Sequence, residues 1–219
     1  MIAIIPAKNN SERIENKNFK PFFNGKSLCD IQIEKLLNIF NPSKIYLSSE
    51  DETKKKTADY YGINFIKRDI GLTYNSTPII DVIKGIYKQI SIEDDVMWCQ
   101  VTDPLFNDYT ECINMWEKLD KNEYDSIVAV YRTKQFLLDD KCKPVNFQFG
   151  AWHRISQELP PMYLLNFTMS ILSHKAISDI GYYVGQKPYW YEINGEYVDI
   201  DIAKDWELAQ IIYKYFNKG

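Results

Sequence analysis

IAIIPA (2–7) runs directly into KNNSERIENKNFKPF (8–22), and the contrast between these two segments governs how the chain folds. IAIIPA is a continuous apolar run, too short for a helix and without alternation, as a strand buried on both faces of a parallel sheet should be. The next residues are the opposite, with Lys8, Arg13, Lys17 and Lys20 crowded into one polar segment. The segment is expected to be a loop running from that strand into an amphipathic helix, where cations and unpaired backbone amides can hold phosphates. Asn9-Asn10 is expected to supply the left-handed backbone that a phosphate loop otherwise obtains from glycine. A solvated basic turn would use the same residues, and on chemistry alone the two readings weigh equally. Neither GxGxxG nor GxxxxGK[ST] occurs, so a dinucleotide fold and a Walker loop are unsupported.

Working outward, strand and helix patterns alternate. Strands are expected at KIYLSS (44–49), INFIKR (63–68), DVMWCQVTDP (95–104) and SIVAVYRT (126–133). Helices are expected at LCDIQIEKLLNIF (28–40), DETKKKTADYYG (51–62), TPIIDVIKGIYKQI (77–90) with Thr77 as N-cap, and YTECINMWEKLDK (109–121). This alternation predicts βαβ units and a parallel, doubly wound α/β sheet, whose ligands bind beyond the carboxyl ends of the strands. Residues 8–18 and 102–104 both fall on that rim. From residue 134 the rhythm breaks into an irregular excursion. MYLLNFTMSILS (162–173) returns to β character, Asn194-Gly195 carries a hairpin signal, and AKDWELAQIIYKYF (203–216) is an amphipathic helix.

Bulk properties narrow the function classes. The chain has 219 residues, 45% apolar and 15% aromatic, which suits one globular domain, 1–219. A net charge of −4 argues against nucleic acid or an anionic membrane as the main partner. Cys29, Cys99, Cys112 and Cys142 form no CxxC pair and are expected to be reduced core thiols. No segment reads as a signal peptide or a membrane span, so the expectation is a soluble cytoplasmic protein. His153 and His174 lack ligand spacing for zinc, and no GxSxG elbow is present.

Two further stretches can carry chemistry. In YVDIDIAKDWE, Asp199 and Asp201 alternate on an extended segment and point to one face, roughly 7 Å apart. Two hard carboxylates there suit Mg²⁺; capping of the last helix would account for Asp201 but not for both. In CQVTDPLF, Gln100 could read a base edge and Asp103 could sit near a metal, although an Asp-Pro turn explains Asp103 equally well. The aromatics Tyr182, Tyr183, Tyr189, Trp190 and Tyr191 either stack on a ligand or cover an edge.

Taken in order, these stretches resemble one family. IPAKNNSERIENKNFKPF is similar to the IPARxGSKRIPxKNIKPF signature of the acylneuraminate cytidylyltransferases. CQVTDPLF is similar to its LQPTSPLR, YVDIDIAKDWELAQ to its IDIDTPEDLELAE, and IKRDIGLTYNSTPIIDVI to its RPxxLAxDxAxxxDVI region. The resemblance covers most of residues 1–131 and again 195–212. It implies a nucleotidyltransferase-type three-layer α/β sandwich with a mostly parallel central sheet. It also implies an enzyme that transfers CMP from CTP to a sugar-acid hydroxyl, with Mg²⁺ and release of pyrophosphate. Carried over, Lys8, Lys17 and Asp201 form the catalytic set. Ala7, Asn9, Asn10, Ser11, Arg13, Asn18, Arg68 and Ser76 bind nucleotide alongside Lys8. Gln100, Thr102, Asp103 and Asn166 face the acceptor, and Asp199 and Asp201 hold the metal. The family's late dimerisation extension corresponds to residues 134–165, which implies a homodimer.

The sequence also departs from the family pattern. Lys8 stands for arginine, Glu12 for lysine, and Phe106 for the arginine of SPLR. The segment around Asn166 lacks the basic residue of RxNGxIY. The nucleotide half therefore matches better than the acceptor half. Open alternatives are a phosphorylated or phosphonylated acceptor, or a non-catalytic nucleotide-binding homologue.

Overall fold

The computed structural model describes residues 1–91, 93–193 and 195–217. Ile2–Pro6 form β1, and a short hairpin follows the basic loop, β2 (Pro21–Phe23) and β3 (Lys26–Ser27). Then come α1 (Leu28–Leu37), β4 (Ile45–Ser49), α2 (Lys55–Tyr61), β5 (Asn64–Lys67), α3 (Ile79–Tyr87) and β6 (Val96–Cys99). The second half holds α4 (Tyr109–Lys118), β7 (Ser126–Thr133), β8 (Met162–Leu164), β9 (Met169–Leu172), α5 (His174–Asp179), β10 (Pro188–Ile193) and α6 (Ala203–Phe216).

The main sheet has the order β10-β7-β9-β6-β1-β4-β5, with β8 pairing on β7. β9 is antiparallel to both β6 and β7, and β8 is antiparallel to β7; the other pairings are parallel. The mostly parallel sheet is thus as expected, and the 162–173 segment splits into two short antiparallel strands. β1 shows why the sheet is three-layered. Ala3 and Ile5 point into a core shared with α1, α2, α4 and α6. Ile2 and Ile4 point into a second core, shared with α3 and α5. All four are fully buried, which explains the unbroken apolar run.

Chain order reverses at β1: β4 and β5 lie on one side of it and β6 on the other. The carboxyl ends of β1 and β6 therefore frame a crevice at the topological switch point.

Four expectations need correction. The basic loop does not run into a helix; the β2–β3 hairpin intervenes, and at the start of α1 Ser27 Oγ accepts the Asp30 amide while the Asp30 carboxylate accepts the Ser27 amide. The α3 N-cap is Pro78, while the Thr77 hydroxyl donates to the Gly71 carbonyl at 2.6 Å. Asn194 lies outside the described residues, and residues 196–201 form no strand beside β10, so no hairpin arm is present there. Cys29, Cys99 and Cys112 are buried free thiols as expected, but Cys142 is exposed. The excursion is irregular: residues 134–161 hold one isolated bridge, Leu138 to Pro144, and a single 3₁₀ turn. Among the described residues, no helix is long and apolar enough to cross a membrane.

Candidate active site

A cavity of about 430 Å³ opens at the switch point. Its cationic wall is Lys8, Arg13, Lys17 and Arg68, and Trp98, Gln100, Thr102 and Tyr183 line it too, with Tyr183 near enough to Arg68 to feel its charge. Ser11, Glu12 and Asn18 also line it, as do Thr73, Tyr74 and Asn75.

The first loop is held at each step. The Ala7 amide donates to Ser48 of the neighbouring strand, and the Asn18 side chain donates to the Lys8 carbonyl, both at 2.9 Å. Ala7 itself is core. The amides of Asn9 and Asn10 both donate to Oε1 of Glu50 at 2.9 Å. They therefore point away from the cavity, and neither residue has a positive φ; Asn16 has one instead, at 51°. The left-handed expectation for Asn9-Asn10 is thus corrected. Pinned this way, the loop tip gives the amides of Asn9 and Asn10 to Glu50, while Lys8 and Arg13 on either side line the cavity. Lys8 reaches across it to Asn75 Oδ1 at 3.0 Å. Ser76 is exposed and does not line the cavity; Asn75 and Thr77 do.

Two cations are held in low-dielectric surroundings. Arg68 is 4% exposed and donates to the Ser48 carbonyl at 3.1 Å. Burial lowers its pKa, opposed by the Glu50 charge. Lys17 is buried and donates to the Ile200 carbonyl at 2.5 Å, with Asp201 Oδ1 at 3.6 Å. Burial lowers its pKa too, and the carboxylates of Asp201 and Asp199 pull it back up. A cation so placed costs little reorganisation when an anion arrives.

Asp199 and Asp201 alternate with Val198 and Ile200, which are buried. The Ile200 amide bonds the Thr102 carbonyl at 2.9 Å, fixing this segment beside the loop after β6. Asp201 does not cap α6: Asp205 accepts the amides of Asp201 and Ile202, at 3.0 and 2.9 Å, leaving the Asp201 carboxylate for Arg13 and Lys17. Burial raises the Asp199 carboxyl above its usual range, and the Asp201 charge adds to that shift. A half-buried Asp199 carboxylate with the Asp201 charge beside it is the arrangement a divalent cation relieves. Among the described residues no group of three or more acidic, His or Cys side chains forms a closed metal cage. The donor set fits Mg²⁺, which takes one or two carboxylates and fills the rest with water and phosphate oxygens.

On the acceptor side the placements differ. Gln100 donates to the Tyr183 hydroxyl at 3.2 Å and lines the cavity, as does Thr102. Asp103 does not: it is 1% exposed, and its Oδ2 accepts Tyr131 at 2.7 Å and Thr168 at 3.0 Å. Asn166 lies 3.5 Å from the same oxygen. Asp103 and Asn166 therefore brace the loop between β8 and β9, which carries Phe167 at a φ of 54°, packed 4.9 Å from the Tyr183 ring. Phe106 is buried against Tyr109 at 4.6 Å and faces the core. Trp98, Asn75 and Glu50 are site residues that the sequence alone does not single out. The rim rule could have found Glu50, which directly follows β4.

Comparison with known proteins agrees with this geometry. A family model described as cytidylyltransferase matches residues 2–148. The chain belongs to the cytidylyltransferase family. By class it is a CTP-dependent nucleotidyltransferase. It is similar to an N-acylneuraminate cytidylyltransferase A of Danio rerio, 27% identical over 99% of this chain and 52% of that protein, so it spans about half of that relative's length. It is 28% identical to a pseudaminic acid cytidylyltransferase of Campylobacter jejuni, over 97% of this chain and 96% of that one. Its fold superposes on a CMP:2-keto-3-deoxy-manno-octonic acid synthetase solved with CTP, with a TM-score of 0.67, 9% identity and 98% of both chains covered. That likeness is one of fold.

Proposed function

We propose that the protein transfers CMP from CTP to the hydroxyl of a sialic- or pseudaminic-type sugar acid, releasing pyrophosphate, with Mg²⁺ as cofactor. The observation that carries this reading is the four-cation wall at the switch point with the Asp199/Asp201 pair beside it. A triphosphate bound along Lys8, Arg13, Lys17 and Arg68 has its charge offset by groups already in place. The acceptor oxygen bonds to the α-phosphorus, its proton passes to water, and the bond to the bridging oxygen breaks as pyrophosphate leaves. Gln100, Thr102 and Tyr183 hold the acceptor in line for that displacement. Mg²⁺, when held by Asp199 and Asp201, would offset charge on the phosphate oxygens and the leaving group. Lys17, bonded to the Ile200 carbonyl between the two carboxylates, keeps that pair facing the cation wall.

Among the described residues, the lining cations come from the first loop and Arg68, and none from residues 98–102 or Tyr183. That favours an acceptor read mainly through the hydroxyl and amide groups of Gln100, Thr102 and Tyr183, or one whose carboxylate is met by a second copy. The excursion exposes Phe149 at 71%, Trp152 at 98% and Ile155 at 58%, which supports a homodimer through residues 134–165. Incubation with CTP, Mg²⁺ and a panel of nonulosonic and phosphorylated acceptors, read by pyrophosphate release and mass of the CMP conjugate, tests the reading. A conjugate with a nonulosonic acid is expected. A conjugate only with a phosphorylated acceptor would reassign the substrate, and none with any acceptor would reject the transferase reading.

A further inference from the structure

Glu50 belongs to neither the cation wall nor the metal pair, yet it is bonded to the loop that carries the wall. Its Oε1 accepts two adjacent amide hydrogens, those of Asn9 and Asn10. Lys8 on one side of that pair and Ser11, Glu12 and Arg13 on the other all line the cavity, while Asn9 and Asn10 do not. Glu50 is reached from behind, where it lines a separate groove with Lys67, Asp69 and Lys88; Arg68 is common to both spaces.

A carboxylate this near a polyanion site opposes binding through its charge, so its position needs another explanation. Were the two amides free, they could turn toward a phosphate, and the chain on either side would turn with them. With both amides bonded to one oxygen, the backbone of the loop tip is fixed and its side chains are set toward the cavity. The negative charge is at the same time set beside the buried Arg68 guanidinium, which it favours.

We propose that Glu50 is a positioning residue for the nucleotide: it ties down the loop tip by two amides so that the flanking cations face the cavity. The inference rests on the nucleotide-binding reading given above. It assigns the triphosphate to side-chain cations and excludes the amides of Asn9 and Asn10 from contact with it.

The test compares the full-length wild type with Glu50→Ala, Glu50→Gln and, as a control, Glu52→Ala, whose carboxylate pairs with Lys67 outside the loop. Amide hydrogen exchange without nucleotide is read first. Residues 9 and 10 are expected to be protected in the wild type and to lose protection in Glu50→Ala. Unchanged protection would overturn the proposal whether or not CTP binds. Calorimetry with CTP is read second. Losing two bonds to a charged acceptor should weaken CTP binding about ten- to hundredfold in Glu50→Ala, and Glu50→Gln, which keeps an accepting oxygen, should recover most of that loss. In turnover assays the loss should fall on KM for CTP more than on kcat. Equal loss in Glu50→Gln and Glu50→Ala would show that charge matters and not the acceptor, overturning the positioning role. Wild-type protein that shows the protection but binds no CTP would instead contradict the nucleotide reading.

Discussion

Arg13 Nη2 donates to Asp201 Oδ1 at 2.7 Å, joining the first loop of the chain to the last extended segment before α6. The contact brings a cation proposed to meet phosphate and a carboxylate proposed to meet metal together before any substrate is present. Both side chains are largely exposed, at 60% and 45%, so the pair adds little to stability. Its value is in keeping the two halves of the site in register.

Asp201→Asn should therefore separate function from folding. Turnover should fall on the order of a hundredfold or more if the proposed metal site loses a charged ligand. Unfolding free energy should change by less than about 1 kcal/mol. Steady-state kinetics and urea titration on the same preparation check both; retained turnover would refute the metal assignment.

Asp103 should behave in the opposite way. Removing it as Asp103→Ala leaves the hydroxyls of Tyr131 and Thr168 and the Leu105 amide without their acceptor in a buried setting. A loss of about 2–4 kcal/mol is expected from denaturant unfolding. Because the loop holding Phe167 leans on this hub, the surviving folded protein should show a raised KM for the acceptor and a nearly unchanged one for CTP.

Lys35 predicts an unusual pH profile. Its ammonium donates to the carbonyls of Pro104 at 2.5 Å and Phe106 at 2.8 Å, and desolvation lowers its pKa to about 8, opposed by Asp103. Above that value the unfolded chain still holds the proton, up to its ordinary 10.5, and the folded chain does not. Stability should therefore rise with pH beyond about 8, by at most about 1.4 kcal/mol per unit. The buried thiols of Cys29, Cys99 and Cys112 act the other way. Burial raises them, so ionisation in the unfolded chain above its ordinary 9.0 removes stability. Urea titrations at a series of pH values should show the rise in the wild type between about 8 and 9.0, where the thiols have not yet begun to oppose it, and its absence in Lys35→Met.

Parts of the fold were legible in the sequence for physical reasons. SIVAVYRT (126–133) and AKDWELAQIIYKYF (203–216) match β7 and α6 residue for residue, because each pattern is long and continuous enough to have one periodicity. Pairing was harder to read. That β9 inserts antiparallel between β6 and β7 depends on contacts remote in the chain, to which local pattern is blind. The chain has two Asn-Gly turn signals near β-rich runs; a hairpin forms at Asn24-Gly25, whose φ values of 47° and 79° suit a tight two-residue turn, and Asn194 lies outside the described residues. After Gly195 the chain bonds to the Thr102 loop through Ile200 and not to β10. Of the site, the cations and the aspartate pair were legible because each sits at a strand end or in an alternating segment. Asn75 and Trp98 were not, because what they contribute is a contact across the fold; Glu50 follows a strand end, where its place on the rim was readable but its bonds to the first loop were not.

The central claim is that the four-cation wall binds CTP, and calorimetric titration of the wild-type protein with CTP, UTP, ATP and GTP, each with and without Mg²⁺, tests it most directly. Binding of CTP in preference to the other three, strengthened by Mg²⁺, is the expected result. Binding of none, or of all four alike and without regard to Mg²⁺, would contradict it.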